Sequence, residues 1–296
     1  MRIVVTGTTG QVVSAILSAT PSDVKVTALG RPDIDLADPG SLRGPIVAAR
    51  PDIILSVAAY TAVDKAESEP DLAQAVNGVA PGVLAAIAHE LGVPIIHLST
   101  DYVFDGAKPE PYVEDDATGP LGVYGKSKLA GERAVRAASD NHVILRTAWV
   151  YSEFGGNFVK TMLRLAENRD EVSVVADQRG CPTCAVDIAR AVIAIARRLR
   201  DDASPTRRGT FHLSAPDDAS WAEFAGAIFS GLAARAGKTV GVRAIATFDY
   251  PTPARRPVNS RLDGHRLAAV YGIKLPSWRT SLDTTLDRLL LGKDLT

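Results

Sequence analysis

Tyr124 stands four residues ahead of Lys128 in VYGKSKLAGE, residues 123–132. On an α-helix residues at i and i+4 share a face, so a phenol and an ammonium placed this way address one ligand. That pairing suits a proton donor to a carbonyl oxygen as hydride arrives at carbon, with the cation expected to lower the tyrosine pKa. A Tyr-x-x-x-Lys spacing also arises by chance, so the pair needs a third member. HLSTDYVFDG, residues 97–106, supplies one: an apolar run ends at Ser99 and Thr100, and Thr100 is placed to donate a hydrogen bond to the same oxygen. Asp101 follows, but a carboxylate there would repel developing oxyanion charge unless protonated. It is therefore assigned to local turn bonding or support, and His97, inside the apolar run, to structure.

A second constellation opens the chain. In VTGTTGQVV, Gly7 and Gly10 fall between an apolar run and a helical one, where backbone N–H groups and a helix dipole favour a pyrophosphate. Val13 occupies the place of a third glycine. After the next apolar run the chain reads LGRPDIDL, with no acidic residue at once to bind a ribose; Arg31 instead suits a 2'-phosphate, which favours NADPH over NADH. Asp35 and Leu36 are placed to flank the adenine. In AAYTAVDKAE, residues 58–67, small Ala58 and Ala59 let a cofactor lie against the backbone with Tyr60 and Thr61 near its ribose or phosphate, unless the alanines simply pack a helix.

The elements that must hold these groups alternate. Residues 3–6, 24–29, 53–57, 94–98 and 142–146 read as strands, and 11–19, 41–49, 71–90 and 124–138 as helices. Near-continuous apolar strands imply burial on both faces, hence an α/β, doubly wound parallel sheet of the Rossmann type. Its ligands are expected at the strands' carboxyl ends. After Trp149 the rhythm changes: 157–168 and 183–199 read as helices, 172–175 and 210–213 as strands, 197–209 as a charged connection and 221–234 as a helix. The expected division is a dinucleotide-binding domain over 1–150, with helix 183–199 packing back on it. A smaller, mainly C-terminal α/β substrate lobe takes 151–182 and 205–296.

Among 296 residues, 33 Lys and Arg face 34 Asp and Glu, a formal charge of -1, which excludes a broad basic surface for nucleic acid. A hydrophobic share of 46% supplies a large core. MRIVVTG leaves no room for a signal peptide, and no apolar run of the length a bilayer needs is evident, so the cytoplasm is the expected compartment. Cys181 and Cys184 in CPTC have no second pair to complete a zinc site and read as two thiols at a turn.

Taken in order, TGTTGQ, AAYTAVDKAESEP, STDYVFDG, VYGKSKLAGE, LRTAWVY, NFVKTMLRLA and YPTPARRPVNSRL resemble the dTDP-4-dehydrorhamnose reductases, extended members of the short-chain dehydrogenase/reductase superfamily. The resemblance covers nearly the whole chain. It implies reduction of the 4-keto group of dTDP-4-dehydro-L-rhamnose by NADPH or NADH, with Thr100, Tyr124 and Lys128 catalytic and Lys128 also on the nicotinamide ribose. Cofactor contacts would come from Gly7, Gly10, Gln11, Val12, Ala58, Ala59, Tyr60, Ser99 and Trp149. The sugar nucleotide would meet Tyr102, Val103, Phe104 and Trp149, and further Asn157, Lys160, Arg256 and Asn259, since a pyrophosphate wants Lys or Arg and a deoxysugar an aromatic wall. Some relatives bridge a dimer with a metal held by acidic residues; Ala15, Val186 and Arg190 stand at those positions here, so no Mg2+ and a monomer or weak homodimer are expected. Competing readings are an epimerase or 4,6-dehydratase of the same fold, disfavoured by Tyr102 where a glutamate is expected, and a non-catalytic regulatory relative, which would not need Thr100, Tyr124 and Lys128 together.

Overall fold

The computed structural model describes residues 1–292. Five apolar runs form strands β1 (Arg2–Thr6), β2 (Lys25–Leu29), β3 (Ile53–Ser56), β4 (Ile95–Thr100) and β5 (His142–Thr147). Four short strands follow: β6 (Val150–Tyr151), β7 (Glu171–Val175), β8 (Arg179–Gly180) and β9 (Thr183–Cys184). β10 (Gly209–His212) then returns to pair with β5, while β11 (Ala219–Ser220) and β12 (Gly241–Ile245) pair with β8 and β7. The main sheet runs β2-β1-β3-β4-β5-β10, every pair parallel. β1 is flanked by β2 on one side and β3 on the other, which opens a crevice at their carboxyl ends.

Helices α1 (Gln11–Ala19), α2 (Arg43–Ala48), α3 (Val63–Ala66), α4 (Pro70–Gln74), α5 (Ala80–Glu90), α6 (Val123–Ala138), α7 (Phe158–Ala166), α8 (Ala185–Asp201), α9 (Trp221–Ala236), α10 (His265–Tyr271) and α11 (Trp278–Leu291) complete the chain. Alternate strand residues explain the two-sided cover. Ile3, Val5, Ile53, Leu55, Ile96, Leu98, Val143 and Leu145 share a core with α1 and α8; Val4, Ile54, Ile95 and Ile144 point the other way, into a core with Ile46 of α2 and Leu84 and Ile87 of α5. Each such side chain taken fully from water contributes about 1.5–3 kcal/mol, so the sheet is a rigid base for whatever its carboxyl ends carry.

Several expected boundaries shift for local reasons. The helix expected over 41–49 begins at Arg43, after a tight turn at Pro39–Ser41 capped by the Asp38 carboxylate on the Gly40 N–H. The helix expected over 71–90 is interrupted by a π-turn at Ala75–Val79. There Asn77 accepts from Tyr60 N (2.8 Å) and donates to Tyr60 O (3.0 Å) and Ser127 Oγ (3.1 Å), fastening the loop after β3 to α6. The run Pro70–Glu90 also corrects the expectation on apolar length: its 21 residues include an 18-residue window of mean hydropathy 1.3, enough by length and composition alone to cross a bilayer. Half of that window is buried, and its inner side feeds the second core. Near the C-terminus α10 and α11 were not expected, although Trp278, Leu282 and Leu286 repeat at helical spacing and are buried.

Candidate active site

Tyr124, Lys128 and Glu132 lie at i, i+4 and i+8 of α6, the face turned toward β4. Lys128 is 3% exposed; its Nζ donates to Leu98 O at 2.6 Å and lies 3.4 Å from His97 Nε2. An ammonium only donates, so His97 Nε2 accepts, and its Nδ1 carries the proton toward Ser56 Oγ at 2.9 Å. Burial, with the Lys128 charge second, pushes His97 well below its ordinary pKa and keeps it neutral. His97 is thus more than strand filling: it touches the lysine the site depends on.

Burial also lowers Lys128, to about 8, against a smaller pull from Glu132. Tyr124 is pushed up to about 12 by burial, with the Thr100 hydroxyl pulling down and the Asp101 charge pushing up. The expected lowering of the phenol by Lys128 is therefore not what the structure has. The ammonium is engaged by Leu98 and His97, and Tyr124 is held as a neutral phenol, the protonated form a donor needs.

Glu132 is a member that sequence reasoning missed. Fully buried, it accepts from Ser99 Oγ (2.6 Å), Arg146 Nε (2.9 Å), and the terminal nitrogens of Arg146 (2.8 Å) and Arg136 (2.9 Å). Burial pushes its carboxyl up, but the Arg146 bonds and charge, with Ser99 and Arg136, outweigh this and hold it below the usual range. Two signals could have found it: a further i+4 step beyond Lys128, and an arginine alone in the apolar strand HVILRT.

At the end of β4 the Thr100 hydroxyl donates to Asp101 Oδ1 (2.9 Å) and accepts from Tyr102 N (3.2 Å). Its proton is not aimed at a ligand oxygen, as expected of it. Tyr102 meets the Tyr124 ring edge-on at 5.8 Å and keeps partial exposure. The Val103 and Phe104 side chains, expected beside the hexose, are closed off from the surface. Both are fully buried, in a core where Phe104 stacks on Tyr112 at 4.1 Å and under the Arg146 guanidinium at 5.0 Å. Of the three, Tyr102 alone keeps some exposure at the end of β4.

At the nucleotide end Gly7 takes φ +94°, and a Cβ there would stand 3.0 Å from Ala58 Cβ. Gly10 caps α1 without any side-chain bond, and nothing lies within 4 Å of its Cβ position. Open helical N–H groups beside so tight a glycine turn fit a dinucleotide pyrophosphate. At the neighbouring carboxyl end of β5, in register with Thr100, Thr147 Oγ1 is buried without a partner among the described residues. Arg31 is exposed just past β2. Ala58 N donates to Thr6 Oγ1 at 3.1 Å, and Ala59 is half-buried beside it.

Other expected contacts are already engaged. Ser99 Oγ is bonded to Glu132, Tyr60 Oη donates to Glu69 (2.7 Å), and Asp35 Oδ1 receives the Ala37 N–H (2.9 Å). Gln11 reaches Val150 O with Nε2 and accepts from Ser152 and Asn157; Val12 is a core residue and Leu36 leans on the second core. These side chains organise the site rather than present free polar groups to it.

The expected sugar-nucleotide residues divide the same way. Asn157 caps α7 through Lys160 N (3.2 Å) and donates to Gln11, Ser152 and Phe154, so its polar atoms are used up. Asn259, 7% exposed, clamps the carbonyls of Lys108 (2.6 Å) and Glu110 (2.8 Å) and accepts from Arg261. Both amides are thus engaged by protein groups. Lys160 Nζ reaches Glu153 O at 3.3 Å and stays partly exposed. Arg256 pairs with Asp64 (2.7 Å), bonds Thr252 and faces Tyr102, linking the late loop to the segment after β3. Trp149 has φ +47°, a strained conformation for so large a residue, and stacks on Trp221 at 3.5 Å with its indole over Gly180, where no Cβ would fit. Cys181 and Cys184 are free, buried thiols around β9, and burial pushes Cys181 up to about 11.

The parallel sheet, the glycine turn at its crevice and the Tyr124–Lys128 face define a Rossmann-type, dinucleotide-dependent oxidoreductase. The family model described as "RmlD substrate binding domain" matches residues 1–291. A dTDP-4-dehydrorhamnose reductase of Sinorhizobium fredii is 55% identical over 295 residues, covering 99% of this chain and 100% of the relative. The chain belongs to the dTDP-4-dehydrorhamnose reductase family. Among solved structures, the Clostridium acetobutylicum dTDP-4-dehydrorhamnose reductase is 38% identical with TM-score 0.91, covering 98% of this chain and 99% of that one. The Bacillus anthracis enzyme in complex with NADP is 34% identical with TM-score 0.89, covering 96% and 98%.

Proposed function

We propose that the protein reduces the 4-keto group of dTDP-4-dehydro-L-rhamnose to dTDP-L-rhamnose, preferring NADPH but able to use NADH. The observation that carries this reading is the neutral Tyr124 phenol at the rim of β4, with Lys128 sealed one turn behind it and the Gly7 turn on the same edge of the sheet. Names of relatives that match from end to end support the substrate, and the NADP complex of one relative supports the cofactor. Gly7 and Gly10 would hold the pyrophosphate of a reduced dinucleotide, which would supply the hydride for carbon 4.

Tyr124 donates its proton to the 4-oxygen. Lys128, held by Leu98 and His97, offers its remaining N–H to a ribose hydroxyl. Thr100 orients the phenol. Tyr102 and Trp149 wall the sugar, Arg256 and Lys160 meet the pyrophosphate, and Arg31 the 2'-phosphate. The division into a dinucleotide-binding unit, 1–150 with helix 183–199, and a substrate lobe, 151–182 with 205–296, belongs to the same reading. So do a cytoplasmic setting and a monomer or weak homodimer without Mg2+.

The test supplies enzymatically made dTDP-4-dehydro-L-rhamnose with NADPH and NADH in parallel, follows loss of reduced nicotinamide and identifies the sugar by NMR. Tyr124→Phe should bind dinucleotide normally and turn over about 10²- to 10⁴-fold more slowly. A Phe variant at the parental rate ends the tyrosine assignment.

A further inference from the structure

Two carboxyl groups are sealed beside the face that carries Tyr124, in opposite surroundings. Glu132 meets two arginines and a serine. Asp101, 2% exposed, meets no cation among the described residues: Oδ1 receives the Thr100 hydroxyl at 2.9 Å, the Ser260 hydroxyl lies close by, and Oδ2 is buried without a hydrogen-bond partner among those residues. A buried carboxylate without a positive partner is among the costliest groups to enclose, and protonation removes most of that cost.

The Thr100 hydroxyl owns one proton. While Asp101 is charged, that proton points at Oδ1. Thr100 Oγ1 already accepts from Tyr102 N at 3.2 Å, so it can then only accept from Tyr124. The Tyr124 proton is thereby drawn toward Thr100 and away from a ligand. When Asp101 carries a proton the order reverses: the carboxyl donates to Thr100, Thr100 donates to the phenol oxygen, and the Tyr124 proton is free to face the cleft.

We propose that Asp101 acts as a neutral acid behind Thr100, a positioning residue that turns the Thr100 hydroxyl toward Tyr124 and replaces the proton Tyr124 gives away. This rests on the reduction proposed above. As the Tyr124 O–H bond breaks, the new O–H bond forms on the ligand oxygen. The Thr100 proton passes to the phenolate and the Asp101 proton to Thr100 Oγ1. Asp101 ends as a carboxylate and regains its proton from water once product leaves; the only reductant is the nicotinamide.

The titratable groups facing Asp101 are Tyr102 on its own turn, Tyr124 from α6 and Cys181 from the turn between β8 and β9. A charged Asp101 makes each of them harder to ionise, so the ionised form opposes phenolate at Tyr124 and the acid form is the productive one. Burial pushes Asp101 itself up to about 6, with Ser260 and Thr100 pulling back.

The experiment pairs infrared titration of the full-length protein with the pH dependence of kcat/KM, in wild type, Asp101→Asn and Thr100→Val. A carboxylic-acid carbonyl band should appear as pH falls through about 6 in the wild type and be missing from Asp101→Asn. Wild-type kcat/KM should fall about tenfold per pH unit on the alkaline side of that midpoint. Asp101→Asn should lack this limb; Thr100→Val should keep the band and lose the limb. No band separating wild type from Asp101→Asn between about pH 4 and 8, or the limb persisting in either variant, overturns the proposal. If Asp101→Asn fails to fold, the wild-type band and Thr100→Val decide. Identification of the wild-type product tests the reduction separately, and the infrared titration reads Asp101 even if that ketone is not turned over.

Discussion

Glu132→Leu probes how α6 is held to the sheet. The change removes the acceptor of two Arg146 bonds, of the Ser99 hydroxyl at 2.6 Å and of Arg136. Arg146, its side chain 3% exposed, would keep only the Glu114 carbonyl at 3.3 Å and the face of Phe104. Breaking a buried ion pair from one side costs about 3–5 kcal/mol, because the other charge stays enclosed. That is roughly 10²- to 10⁴-fold in the folding equilibrium. The Arg136 pair, about a third exposed, adds less than about 1 kcal/mol. Combining Glu132→Leu with Arg146→Met should recover most of the loss, since no uncompensated charge remains. The pH dependence has a definite sign. The Glu132 carboxyl is depressed in the folded state, so its contribution is complete above its unfolded value, about 4.3, and fades as pH falls through the folded one. Urea unfolding of wild type, Glu132→Gln, Glu132→Leu and the double variant, at neutral pH and near pH 4, reads all of this. If Glu132→Leu melts at the wild-type urea midpoint, or the double variant loses the sum of its singles, the ion pair does not anchor the helix.

Gly7→Ala forces a side chain into the left-handed region against Ala58, and should lose about 1–2 kcal/mol of stability and at least about tenfold in dinucleotide affinity by calorimetry; unchanged affinity removes Gly7 from the cofactor site. Arg31→Ala should move the NADPH-to-NADH ratio of kcat/KM about tenfold or more toward NADH, the scale of one lost bond to a charged group, and an unmoved ratio would clear Arg31 of any role in choosing the cofactor. Arg256→Gln should raise KM for the sugar nucleotide about tenfold with kcat held. Asp64→Asn, which frees Arg256 from its ion pair, should lower KM or leave it, and a large rise in the Asp64 variant would mean the latch itself shapes the pocket.

Much of the frame was legible because its signals are local. β-branched runs alternating with alanine-rich ones announce a parallel sheet, two glycines at a strand end announce a tight turn, and the spacing of Tyr124 and Lys128 places both on one helical face whatever the rest of the chain does. Which of Tyr102, Val103 and Phe104 stays partly exposed was decided by packing from elsewhere in the chain, with Tyr112 and Arg146 closing over Phe104. Asn157 and Asn259 look like ligand-binding amides until their bonds to the distant Gln11 side chain and the distant Lys108 carbonyl are in view. The charge states of Tyr124, Asp101 and Glu132 were likewise beyond the sequence. A pKa depends on how much water has been removed and which charges remain nearby, and both are set when segments separated by tens of residues close over one another. Residue order determined the elements and which side chains share an element's face; tertiary packing alone decided which of those groups stay neutral, which stay paired and which remain free to meet a ligand.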